Sequence, residues 1–169
     1  VFAEGDTLQG QDYHITALHT PGHCSNHLCL SHAESNTLFT GDHVMGWATS
    51  VIVPPDGDMA DYMANLERLL LRDDARYLPT HGPAIEDPKP LVSAYLQHRR
   101  EREAQVVACL QRGQTRITDI TETLYTHVPR ELHPAAARSV FAHVLHLHAQ
   151  GRVVSDGEPR LDGEWRLSP

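Results

Sequence analysis

Three times within its first 82 residues the chain brings a short strand-forming run to a glycine-containing turn that carries an imidazole or a carboxylate. These turns are Thr20-Pro21-Gly22-His23, Thr40-Gly41-Asp42 and Thr80-His81-Gly82. Glycine allows the backbone to bend sharply there, so the adjoining side chain can be aimed off a sheet edge. Two imidazoles and one carboxylate form a zinc-type donor set, because neutral nitrogen and anionic oxygen suit a borderline cation. One such turn says little. Three, in this order and at these separations, predict His23, Asp42 and His81 at one edge of one sheet.

The runs between the turns fit short strands. Tyr13–His19 alternates in residue type, His27–Ser31 carries Leu28 and Leu30, and Thr37–Thr40 carries Leu38 and Phe39. After the loop Pro54-Pro55-Asp56-Gly57, Asp58 can cap a helix. Met59, Tyr62, Met63, Leu66, Leu69 and Leu70 would share one of its faces. Arg76–Leu78 is a short strand leading into the third turn. The proline-rich stretch 83–90 is a natural boundary, which places one unit at residues 1–88 and a second at 89–169. Pro90 suits the first turn of a long helix to about Leu110, closed by Gly113. A helix at Thr118–Thr126 and another from Pro134 to Ala149 follow. Arg152–Ser155 and Glu164–Leu167 then form a hairpin. Three helices and a hairpin are the winged-helix order, with Val106, Leu110, Ile120, Leu124, Val140, Phe141 and Val144 as its expected core.

Charge follows the same division. Residues 1–92 carry a net −9, and residues 93–169 a net +1. Thirteen carboxylates in the first part argue against a polyanion partner there. A tail near neutrality attracts phosphate only weakly, so nucleic acid is not expected to bind through it. Arg99, Arg100 and Arg102 alternate with Glu101 and Glu103 and predict a solvated charged face. No run approaches the length of a membrane-spanning helix. Cys24, Cys29 and Cys109 are too few and scattered for a disulfide framework, which makes a reducing cytoplasm the expected setting.

Beyond the single residues, HTPGH around His23, FTGD ending in Asp42 and THG around His81 resemble the third, fourth and fifth ligand motifs of the metallo-β-lactamase-fold hydrolases. The stretch Gly41–Trp47, the loop Val53–Met59 and the helical tail resemble the β-lactamase-like subgroup with an appended winged helix. The resemblance implies an α/β fold, an αββα sandwich followed by a small winged helix. It also implies two zinc ions, with His23 on the first, His81 on the second and Asp42 bridging them. In such an enzyme a metal-activated hydroxide attacks an ester, thioester, amide or phosphodiester. The substrate is a small molecule or a nucleic acid.

The family's first signature, HxHxDH, has no counterpart here; His146-Leu147-His148 continues as Ala149-Gln150 and lies in an expected helix. The resemblance therefore covers the C-terminal portion of such an enzyme. This chain is expected to be a fragment, inactive alone, with zinc absent or partial. It is also expected to bear an apolar sheet face (Ile15, Leu28, Leu30, Phe39) that the other half or a second copy would cover. A second reading stays open: a winged-helix module that binds nucleic acid or protein, attached to a non-catalytic remnant.

The other histidines have plainer readings. His43 is assigned a place behind the ligands, orienting one of them or donating to substrate. His27 lies four residues from His23 but is not taken as a ligand. His133, His143, His146 and His148 fit a solvated helix face better than a chelate.

Overall fold

The computed structural model describes residues 2–169. Five strands, β1 (Thr7–Gln9), β2 (His14–His19), β3 (Leu28–His32), β4 (Thr37–Gly41) and β5 (Arg76–Pro79), form one sheet in that order. The first four pair antiparallel, as tight turns permit. The β4–β5 pair is parallel and needs the crossover that α1 (Met59–Leu70) supplies. Asp58 caps α1 as expected, its carboxylate accepting from the Asp61 N–H at 2.9 Å. The edge strand β1 carried no sequence signal, since all three of its residues are exposed and none is held in the core.

Side-chain alternation gives the sheet two different faces. Cys29, Leu38 and Tyr77 are buried in one core with Tyr62, Leu66 and Leu69 of α1. In the paired register Leu30, Phe39 and Leu78 lie abreast on the opposite face. With Leu28 they line an open depression, and Phe39 stays 41% exposed. The apolar face expected from the sequence is therefore present and uncovered by the described residues.

The long helix α2 (Pro88–Gln111) begins two residues before its expected start. Pro88 and Pro90 both fall in the first turn, where the backbone N–H groups have no intrahelical acceptor. This helix joins the two units rather than separating them. Val92, Tyr95 and Leu96 belong to the first core, whereas Val106, Cys109 and Leu110 belong to the second. The second core is completed by α3 (Ile117–Leu124), α4 (His133–Ala149) and the hairpin β6 (Val153–Ser155) with β7 (Trp165–Leu167). Leu124 and Phe141 pack against that core only partly buried. Among the described residues no helix is long and apolar enough to cross a membrane.

Two surface expectations for the tail are corrected. Arg99 and Glu103 are buried, not solvated. The α4 histidines also turn inward. His143 is fully buried, His146 Nδ1 lies 2.5 Å from Glu103 Oε1, and His148 Nδ1 meets Val153 O at 2.8 Å. At the α2–α4 contact the Glu103 carboxylate meets two imidazoles, hydrogen-bonded to His146 and 3.7 Å from His143. Burial alone would raise the Glu103 carboxyl. The imidazoles of His146, hydrogen-bonded to it, and of His143, 3.7 Å away, outweigh that cost and hold the group at about 2, against an ordinary 4.5. A depressed carboxylate adds stability above its unfolded value and loses it as pH falls toward the folded one. Burial also pushes His143 down to about 4, which penalises acid in the same direction. Glu103→Gln is expected to lose about 3 kcal/mol at pH 7, since it removes the buried carboxylate that His146 hydrogen-bonds and that faces His143. It should also flatten the fall in stability between pH 4.5 and about 2. Urea unfolding across that range checks both.

Candidate metal centre

The three turns meet at one end of the sheet. Gly22 has φ +137°, and a Cβ there would stand 2.5 Å from Tyr62 Cα. Only glycine lets the His23 turn lie this close to α1. Gly22 O accepts from the Asp58 N–H at 2.9 Å, which ties the turn to the cap of that helix. Ser25 adds a second tie, its N–H and hydroxyl both donating to Asp56 Oδ1.

His23 is oriented from behind. Its Nδ1 lies 2.7 Å from Val51 O and 3.0 Å from Ser50 Oγ. A carbonyl can only accept, so Nδ1 carries the proton and Nε2 keeps its lone pair. That Nε2 stands 3.9 Å from Asp42 Oδ2. From the other side His81 Nε2 stands 3.5 Å from Asp42 Oδ1. Asp42 Oδ1 is itself buried and has no hydrogen-bond partner among the described residues. Such an oxygen is costly unless something cationic meets it. The donor chemistry of nitrogen, oxygen and nitrogen thus fits zinc. The number does not suffice: among the described residues no group of three His, Cys, Asp or Glu side chains can hold a metal ion unaided.

His27 supports the site without joining the donor set. Its Nε2 accepts from the Asp42 N–H at 3.2 Å, which places the ring proton on Nδ1, 2.8 Å from Thr20 Oγ1. Both nitrogens are then engaged. A Cβ on Gly41 would stand 2.6 Å from His27 Nε2, so glycine at φ +54° keeps room for that ring. His43 is completely buried between His27 and Tyr62, and neither of its nitrogens has a partner among the described residues. Burial, with His27 and His23 nearby, pushes it down to about 3. So enclosed, the ring packs behind the site next to His27 rather than on its open side.

His81 is half-exposed and lies nearly parallel to Trp47, with ring centroids 6.5 Å apart. Its loop crosses the 46–47 loop at close range, with the Gly46 N–H donating to His81 O at 2.9 Å. Trp47 is 72% exposed beside the donors. Sequence reasoning did not find Ser50, Val51 or Arg99. Arg99 lies 49 residues from its partner Ser50 O, and Val51 acts through a carbonyl that every residue possesses.

Residues 3–81 match the family described as Metallo-beta-lactamase superfamily, and residues 117–165 the Beta-lactamase associated winged helix domain. The chain is similar to a Beta-lactamase-like protein 2 homolog of Drosophila melanogaster, 34% identical over 142 residues. That match covers 82% of this chain and 47% of the relative. It is also similar to an atrochrysone carboxyl ACP thioesterase of Aspergillus chevalieri, 28% identical over 152 residues, covering 84% and 47%. The chain spans about half the length of these curated relatives. In fold it is similar to a metallo-beta-lactamase family protein from Thermus thermophilus. The TM-score is 0.83 at 19% identity, over 98% of this chain and 53% of that one.

Proposed function

This chain joins a metallo-β-lactamase superfamily region to a β-lactamase-associated winged helix, and we propose that His23, Asp42 and His81 are its contribution to a two-zinc hydrolytic centre. The observation that carries the reading is the convergence of two imidazole nitrogens on a buried, otherwise unpartnered carboxylate oxygen. His23, Asp42 and His81 would be the residues of this chain that hold the metal. Zinc bound there supplies a Lewis acid for polarising an ester, thioester, amide or phosphodiester. The likeness to a thioesterase supports the thioester among these four. His27 holds the Asp42 backbone in place, and Val51 O keeps His23 Nε2 free.

Three donors shared by two ions fall below the three or four protein ligands that a zinc ion ordinarily takes. The remaining donors would come from outside these 169 residues, on a segment that also covers the face of Leu28, Leu30, Phe39 and Leu78. In its absence a second copy would cover that face. Zinc analysis with light scattering on the purified 169-residue chain tests both statements. The expected result is weak, substoichiometric zinc, no hydrolysis and an assembly larger than a monomer. A stable monomer holding two tightly bound zinc ions would contradict them.

The tail acts in this reading by packing, not by reading nucleic acid. Arg116, Arg160 and Arg166 in and beside the hairpin are each paired with an acid, Glu164, Asp162 and Asp156. With a net charge of about +1 over residues 93–169, attraction to a phosphate backbone would be weak. Tyr95 of α2 instead donates to Met45 O at 2.7 Å, bracing the loop that presents Trp47.

A further inference from the structure

We propose that Arg99 is a positioning residue for the metal centre: from α2 it fixes the Ser50 carbonyl and so residues 50 and 51, whose Ser50 Oγ and Val51 O hold His23 with Nε2 free and facing Asp42. Its consequence for metal rests on the zinc reading above; its consequence for the His23 ring does not.

Arg99 is 4% exposed and has no carboxylate partner among the described residues. Its Nη2 donates to Ser50 O, its guanidinium carbon lies 5.2 Å from the centroid of the Tyr62 ring, and its Nε is unpartnered. A charge buried on such terms is expensive, and a hydrophobic side chain of similar volume would serve packing equally well. An aliphatic chain could not grip a carbonyl 49 residues away. The gripped peptide belongs to a loop that needs such a hold. An isolated bridge, Val44 to Thr49, precedes it, and residues 50–53 belong to no helix or strand. The Ser50 N–H, in the preceding peptide, donates to Tyr62 Oη at 3.4 Å, so Ser50 is held through both its N–H and its carbonyl.

Both groups behind His23 sit on this short loop. Ser50 Oγ and Val51 O lie 3.0 and 2.7 Å from His23 Nδ1. If the Ser50 carbonyl lost its donor, residues 50 and 51 could shift together and withdraw both Ser50 Oγ and Val51 O from His23. A neutral imidazole without that acceptor exchanges its proton between the two nitrogens, and a proton on Nε2 blocks the lone pair a metal needs. The helical tail thereby acts on a site it does not line.

The test uses the 169-residue chain near pH 8, above the ordinary imidazole range of about 6.5. Long-range nitrogen–proton NMR reads the His23 tautomer, and cobalt(II) titration reads affinity. The wild type is expected to show His23 protonated on Nδ1. R99M should populate the Nε2-protonated form and weaken cobalt binding about 10- to 100-fold, the range for losing a partner of a metal ligand. R99K keeps the charge and a donor and should restore the wild-type tautomer and most of the affinity. A purely structural role would leave all three proteins with one tautomer. A folded R99M with His23 still protonated on Nδ1 and unchanged affinity would overturn the proposal. If R99M does not fold, R99Q, polar but shorter, is read in the same way. A wild-type chain that takes up no cobalt would sink the zinc reading, while the tautomer comparison would still decide the role of Arg99.

Discussion

Asp42→Asn is expected to weaken zinc or cobalt binding at least about 100-fold while slightly stabilising the metal-free fold. The loss should exceed the roughly 10- to 100-fold cost of removing a partner that merely orients a ligand, because Asp42 brings the centre its negative charge. Asn preserves the shape and one oxygen but not that charge. The gain in stability comes from the same atom. Asp42 Oδ1 is buried without a partner among the described residues, and an unsatisfied buried acceptor costs about 1–3 kcal/mol. One-third of the side chain remains exposed, so about 1 kcal/mol is the expected gain. Opposite signs in two measurements, metal titration and urea unfolding of the apo chain, separate a ligand from a structural carboxylate. A variant that loses both stability and metal binding would assign Asp42 to the fold.

The second large effect lies in the tail. Trp165→Ala is expected to cost about 3–5 kcal/mol, the range for removing a buried aromatic ring without full collapse of the space. Trp165 is completely buried, packs edge-on to Phe141 and His148, and donates from Nε1 to Arg160 O at 3.2 Å. It thus links α4, the hairpin and the loop between its strands. Because α2 enters both cores, the loss should lower the unfolding midpoint of the whole chain in one transition. Two separated transitions, with only the tail shifted, would show that α2 does not couple the units.

The fold class was legible because its signals are local. Gly and Pro mark the turns, Asp58 starts α1, and the winged-helix order is written in apolar periodicity; the α/β fold with its appended winged helix is borne out by the family matches and the structural likeness. The convergence of His23, Asp42 and His81 was legible because each sits beside its own glycine. What escaped was long-range pairing of polar groups. Arg99 and Glu103 lie amid charged neighbours, as solvated side chains do, and only the partners brought in by Ser50, Tyr62, His143 and His146 explain their burial. β1 escaped for the opposite reason: Thr7–Gln9 is an exposed edge that exists by pairing with β2.

With 13 histidines in the chain, metal uptake alone would not say where the metal sits. Zinc-edge X-ray absorption of the chain loaded with one equivalent of zinc does. The account predicts imidazole scattering from a nitrogen and oxygen shell at about 2.0–2.2 Å, reduced by His23→Ala or His81→Ala and absent in the double variant. An imidazole signal unchanged in that double variant would place the metal elsewhere and contradict the assignment.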